Sequence, residues 1–199
     1  MLFAGNLLEY MKKSIGKVNA AFPTPIVVVG AMCDGKPCWF EVAWVGIGDA
    51  GVVTLSVTST HKTCDGIRAE KKLSINLLDE ALIPRADYVG VVSGHKVDKS
   101  GVFAWSAGST GVPLVDDAPV SMECSLLDIY DANGCYLLIC KVENTWAREE
   151  LLTPQGKLDY EVFKPVLFEP GFRYLRTGDV ICRCAEAWKE YAAEGLKND

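Results

Sequence analysis

The sequence predicts a mainly β fold, a β-barrel with peripheral helices, and three features carry that expectation. Short segments rich in β-branched residues recur along the chain, tight-turn dipeptides stand between several of them, and the helical stretches are few and short. Strands with small helices between and after them suit a barrel better than an alternating strand–helix sheet. The length of 199 residues with 49% hydrophobic content accommodates one well-filled core, so residues 1–199 read as a single domain.

The elements follow in order. "FPTPIVVVGAM" (22–32) places two prolines before a β-branched run, and "CDGKPC" supplies Asp34–Gly35 as a tight turn. The return, "CWFEVAWV" (38–45), is expected as one strand with Trp39, Glu41, Ala43 and Val45 on one face and Cys38, Phe40, Val42 and Trp44 on the other. In "VVTLSVT", Val53, Leu55 and Val57 face one way, and Thr54, Ser56 and Thr58 the other. A short helix over "CDGIRAEKK", with Thr63 as its N-cap, is followed by a strand over "LSINLL" (73–78). Residues 83–94 fit a helix with Pro84 near its start, although Val89, Val91 and Val92 also suit a strand. Residues 106–119 are rich in Gly, Ser and Pro and read as a functional or interfacial loop. Segments 120–130 and 135–146 then form a hairpin through Asn133–Gly134, and the chain ends in a helix over 184–199.

Charge and composition exclude several function classes. A net charge of −6 offers no broad basic surface for nucleic acid or anionic lipid. The longest apolar run, residues 26–32, is too short to span a bilayer as a helix. The N-terminus lacks the pattern of a secretory signal, so a cytoplasmic location and eight free thiols are expected. Cysteine spacing without a CxxC, and with two histidines, does not support a metal site. The glycines of "GIGDAG" (46–51) lead into the alternating run "VVTLSVT" instead of opening a helix, and no GxxxxGK[ST] or GxSxG motif occurs, which weighs against dinucleotide-fold, P-loop and serine-hydrolase readings.

One stretch stands out against this acidic background. "TSTHKTCDGI" (58–67) gathers hydroxyls, a histidine and a lysine between a strand and a helix start, an arrangement that holds an anion such as a phosphate. Taken alone it reads equally as a solvated turn in which Thr63 merely caps a helix, the commoner use of such residues. "SGHKVDK" (93–99) adds a second basic cluster that a barrel would bring near the first. The residues therefore point to a phosphate-bearing small molecule held on a β-barrel.

Seven segments in series, from "FPTPIVVVGAMCDGKPCWFEVAWVGI" through "LSVTSTHKTCDGI", "LSINLL", "DYVGVVSGHKVDKSGVF", "GVPLVDDAPVSMECSL" and "LLICKVENT" to "GKLDYEVFKPVLF…FRYLRTGDVI", resemble the flavin reductase-like, flavoredoxin-type FMN-binding split-barrel proteins. The resemblance runs from Lys12 to Ile181. It implies a split barrel binding FMN non-covalently, as a homodimer with flavin near the subunit interface, with NAD(P)H or a redox protein partner as electron source. By the same resemblance Glu41, Val42, Ala43 and Trp44 lie along the isoalloxazine, and Ser56, Val57 and Thr58 begin the segment toward ribityl and phosphate. Ser59, His61, Lys62 and Thr63 fall near the phosphate, and Ser93 and Lys99 match a second cofactor-facing motif. No catalytic side chain is implied, because the flavin carries the chemistry.

Two departures stand out. Where the family commonly has Pro-Asn-x-Met-Thr, this chain has Pro37-Cys38-Trp39-Phe40-Glu41, so a carboxylate replaces a hydroxyl. If ionised, Glu41 would disfavour an anionic reduced flavin and lower its potential. The family's Gly-Asp-His turn appears as Asn133-Gly134-Cys135, without the histidine. The stretch "MKKSIGK" from Met11 resembles where such proteins begin, so residues 1–10 read either as an extension or as preceding a true start at Met11.

Overall fold

The computed structural model describes residues 12–195, so the expected extension at 1–10 and the last residues of the C-terminal helix lie outside the described residues. Strands β1 (Thr24–Pro25), β2 (Val27–Cys33), β3 (Lys36–Val42), β4 (Val45–Asp49) and β5 (Val52–Thr58) precede helix α1 (Lys62–Glu70). Strand β6 (Lys72–Leu77), helix α2 (Ile83–Val91), β7 (Trp105–Ala107) and β8 (Pro113–Val115) follow. The chain then forms the long β9 (Val120–Ala132) and β10 (Cys135–Ala147), the short β11 (Leu167–Glu169) and β12 (Arg173–Leu175), and helix α3 (Trp188–Gly195).

The main sheet has seven strands in the order β3-β2-β6-β9-β10-β5-β4. Its two edges, β3 and β4, are consecutive in the chain and joined only by Ala43 and Trp44, so the sheet must curl until its edges approach. The β4–β5 ladder runs on into this link, where Ser56 N–H of β5 donates to the carbonyl of Trp44 at 2.9 Å. Elsewhere the edges stay apart, which gives a split rather than a sealed barrel. Register shifts in the β9–β10 pairing, at Ile139/Cys140 and Val142/Asn144, supply bends of the kind β-bulges introduce.

Alternation decides what the curl buries. Val27, Val29 and Ala31 of β2, Phe40 and Val42 of β3, Val53, Leu55 and Val57 of β5, and Leu73 and Ile75 of β6 fill the interior, with Cys64 and Ile67 of α1 plugging one end. The opposite face of β2 and β3 carries a second cluster, in which Val28 and Trp39 pack against Leu82, Ala86 and Val89 from around α2 and against Phe103. The Trp39 and Phe103 rings meet edge to face with centroids 5.5 Å apart. Gly30 makes this possible, because a Cβ there would run into the Trp39 indole.

The helix alternative for residues 83–94 is the one adopted, with Pro84 in the first turn of α2. The Asn133–Gly134 hairpin forms as expected, with both residues at positive φ. Four expectations are corrected. The strand over 38–45 breaks after Val42, since pairing with β5 on the other edge redirects Val45 onward. Thr63 does not cap α1: His61 occupies the cap position, no side chain caps the helix, and Thr63 is buried within the first turn. The segment 106–119 is a small β7–β8 hairpin whose tip wraps the buried carboxylate of Glu123, which accepts from the N–H and hydroxyl groups of Ser109 and Thr110 and from Trp146 Nε1. Cys33 and Cys38 are bonded as a disulfide across the β2–β3 hairpin instead of remaining free, while the six other cysteines are free thiols. Helix α3 covers Trp188–Gly195, a shorter span than the expected 184–199 within the described residues. No helix among the described residues is long and apolar enough to cross a membrane.

Candidate functional site

β3 is an edge strand, and this determines the site. A strand inside a sheet offers a cleft one face, but an edge strand offers both faces and its unpaired rim. Consecutive residues Phe40, Glu41, Val42, Ala43 and Trp44 accordingly all line one cleft of about 740 Å³ at the split of the barrel. Its far wall is Ser56, Val57 and Thr58 at the end of β5, then His61 at the start of α1. Phe22, Ile26 and Phe168 add apolar surface, and Asp87 of α2 and Tyr174 of β12 close one side.

The volume lies within the range of sites that enclose an organic cofactor, and the lining combines apolar rings with a few convergent polar groups as such sites require. His61 sits with its ring centroid 5.2 Å from that of Phe40. Burial pushes its pKa below the usual histidine value, and the positive charge of Lys99 pushes the same way. It is therefore neutral at neutral pH and offers one N–H and one lone pair.

A second cleft, of about 340 Å³, lies at the other end of β3 and is lined by Lys36, Lys62, His95, Lys96 and Lys99, by Asp34 and Asp98, and by the Cys33–Cys38 disulfide. The two basic segments singled out in the sequence do meet here: His95 Nε2 lies 3.1 Å from the carbonyl oxygen of Thr60. Lys99 is 6% exposed and donates to the carbonyls of Val89 at 2.7 Å and Val92 at 3.0 Å, capping the end of α2. Burial pulls its ammonium down to about 8.

The thirteen residues expected at the site divide as follows. Glu41, Val42, Ala43, Trp44, Ser56, Val57, Thr58 and His61 line the large cleft, while Lys62 and Lys99 line the basic one. Ser59, Thr63 and Ser93 line neither; Ser59 N–H donates to Gly134, Thr63 is buried, and the Ser93 carbonyl accepts from Lys96 and Val97. Asp87 and Tyr174 were not foreseen. Tyr174 Oη lies 3.1 and 3.3 Å from the two carboxylate oxygens of Glu41 and 2.9 Å from Asp87 Oδ1. These contacts span 133 and 87 residues, and no local pattern announces them.

The strand order and the cleft at the split of the sheet define a split-barrel protein. Residues 19–169 match the model of the flavin reductase like domain, and the chain belongs to that family. Its function class is thereby flavin-related redox chemistry. Among solved structures it is similar to a flavoredoxin from Methanosarcina acetivorans, at 26% identity over 90% of this chain and 100% of that one, with a TM-score of 0.83. The flavoredoxin of Desulfovibrio vulgaris (Miyazaki F) is likewise similar at 26% identity, covering 89% of this chain and 100% of that one, with a TM-score of 0.81. An FMN-binding protein from Thermus thermophilus, at 20% identity over 87% of this chain and 100% of that one with a TM-score of 0.75, shares the fold. No curated protein matches the chain.

Proposed function

We propose that the protein is an FMN-binding oxidoreductase that takes hydride from NAD(P)H and passes electrons to an acceptor. The observation that supports this most is that an apolar, ring-lined cleft and a lysine-rich one both reach the uncapped start of α1, where His61 lines the first and Lys62 the second. A flavin mononucleotide needs that sequence of environments: apolar walls for the ring system, hydroxyls along the ribityl chain, and cations with free N–H groups at the phosphate. Phe40, Val42, Ala43 and Trp44 would flank the ring system, Ser56 and Thr58 the ribityl chain, and His61 and Lys62 the phosphate. Lys99 acts at one remove, by holding the end of α2 and adding positive charge.

When bound, the flavin supplies the hydride-accepting and electron-donating chemistry. The chain's own residues position it, limit water at the ring and set the local charge. Trp44 and Phe172 are 55% and 87% exposed at the lip of the cleft, which supports a homodimer in which a second subunit covers the flavin. Anaerobic mixing of the FMN-loaded protein with NADH or NADPH is expected to bleach the flavin absorbance within the dead time or the following seconds. Bleaching by neither, with prompt reduction by a low-potential redox protein, would instead support a flavoredoxin-type electron carrier. That second reading is favoured by the similarity to two flavoredoxins at 26% identity.

A further inference from the structure

The polar cluster at the side wall of the large cleft sets a constraint on protons. A phenol has one hydrogen and can donate it to one carboxylate at a time. Tyr174 Oη nevertheless lies within hydrogen-bond distance of two, Glu41 and Asp87. With both carboxylates ionised, one of these contacts would set lone pairs against lone pairs beside an apolar wall. A second proton, on one of the carboxyls, satisfies both contacts: that carboxyl donates to Tyr174 Oη while Tyr174 donates to the other.

Exposure decides which group holds the extra proton. Asp87 is exposed on α2, whereas Glu41 is partly buried between β3 and that helix. Gly90 brings the helix close, since a Cβ at that position would lie 2.8 Å from Glu41 Oε2. Burial pushes the Glu41 carboxyl up to about 7; the Tyr174 hydrogen bond opposes this and the Asp87 charge adds to it. The other titratable groups lining the cleft are Lys17, His61 and Cys135. The carboxylate expected from sequence to lower the flavin potential thus holds its proton about half of the time near neutral pH, and donating that proton is added to its role.

We propose that Glu41, Tyr174 and Asp87 form a proton relay in the cleft wall, with Glu41 handing a proton to the molecule reduced there and Asp87 taking its replacement from water. The inference rests on the flavin reading above for its source of electrons. The acceptor class it favours is one that must gain a proton together with two electrons, of which a quinone is the simplest. Hydride from reduced flavin brings one hydrogen and both electrons to the quinone; the Glu41 O–H bond breaks and an O–H bond forms on the second quinone oxygen, giving the hydroquinone and a Glu41 carboxylate. The relay then refills in one shift. Asp87, protonated from water, passes its proton to Tyr174 Oη, and Tyr174 passes its own to Glu41, which restores the starting arrangement.

The test has two arms. In the flavin-free full-length chain, carbon-detected NMR of labelled glutamate, assigned with Glu41→Gln, should show Glu41 titrating near neutrality. Asp87→Asn should move that midpoint down, by removing a like charge, and Tyr174→Phe should shift it as well, by removing the hydroxyl that bridges the two carboxyls. A Glu41 midpoint in the ordinary carboxylate range, indifferent to both variants, would overturn the proposal. In the second arm the reduced, FMN-loaded protein is oxidised by menadione or by ferricyanide, which takes electrons without a proton. Glu41→Gln should slow menadione about a hundredfold relative to ferricyanide, a general-acid effect; in the wild type the menadione rate should fall about tenfold per pH unit above the Glu41 midpoint. Equal rates with menadione for variant and wild type overturn the relay. Failure to bind FMN would sink the flavin reading instead, and the NMR arm still decides whether Glu41 holds the proton.

Discussion

The two clefts on either side of β3 are built from one strand and differ in nearly everything else. At the Lys36 end the strand is pinned by the Cys33–Cys38 disulfide and faces four lysines and two aspartates; at the Val42 end it lies among aromatic side chains and beside an acidic pair. One residue of strand, Trp39, at a rise of about 3.3 Å per residue, separates a place for an anion from a place for a ring. A sheet edge allows this because its two ends meet different neighbours: the start of α1 at one, and α2 with β12 at the other. The lesson is that the position of a strand in its sheet decides which residues are available to a ligand.

Phe40 joins the two halves, and its removal should have the largest effect. It is 2% exposed, belongs to the barrel interior and packs on His61. Phe40→Ala should cost about 3–5 kcal/mol of stability, read by urea denaturation, and should loosen both clefts together. An effect on flavin retention without a loss of stability would show that the clefts are not joined through this side chain.

The disulfide should matter less and only at its own end. Closing a loop with a sequence separation of 5 constrains the unfolded chain by about 2 kcal/mol. Reduction should therefore raise the titratable thiols from six to eight and lower the urea midpoint modestly. The Glu41 titration should not move, since it lies at the opposite end of the strand; a shift on reduction would mean the two ends are coupled.

The smallest effect sharpens the contrast between anion and ring. Lys62→Ala should weaken FMN about tenfold, the loss of one charge-assisted contact, and leave riboflavin nearly unchanged, because only FMN carries the phosphate. Isothermal titration with both ligands measures the difference. Equal weakening would remove Lys62 from the phosphate and return "TSTHKT" to a solvated turn.

Much of the architecture was legible because it rests on local rules. Alternation in 52–58 placed Val53, Leu55 and Val57 inside, and all three are buried in the barrel. The Asn133–Gly134 turn follows from two residues that tolerate positive φ. Consecutive cleft residues 41–44 were legible through resemblance alone, since strand periodicity predicts that neighbours point to opposite sides. The break after Val42 escaped the sequence because it is dictated by pairing with β5, and the Ser- and Gly-rich 106–119 misled because its hydroxyls serve Glu123.

The sequence by itself determined the strand-rich class, the two main hairpins, the barrel-facing side chains and the meeting of hydroxyl and basic segments near a strand end. These depend on periodicity, turn chemistry and residue type, all of which act over a few positions. Only the tertiary structure decided that Lys99 caps a helix, that Cys33 and Cys38 are bonded, and that Glu41 faces Tyr174 and Asp87. The protonation of a carboxyl depends on what surrounds it within a few ångströms, and here those surroundings come from residues 46 and 133 positions away along the chain.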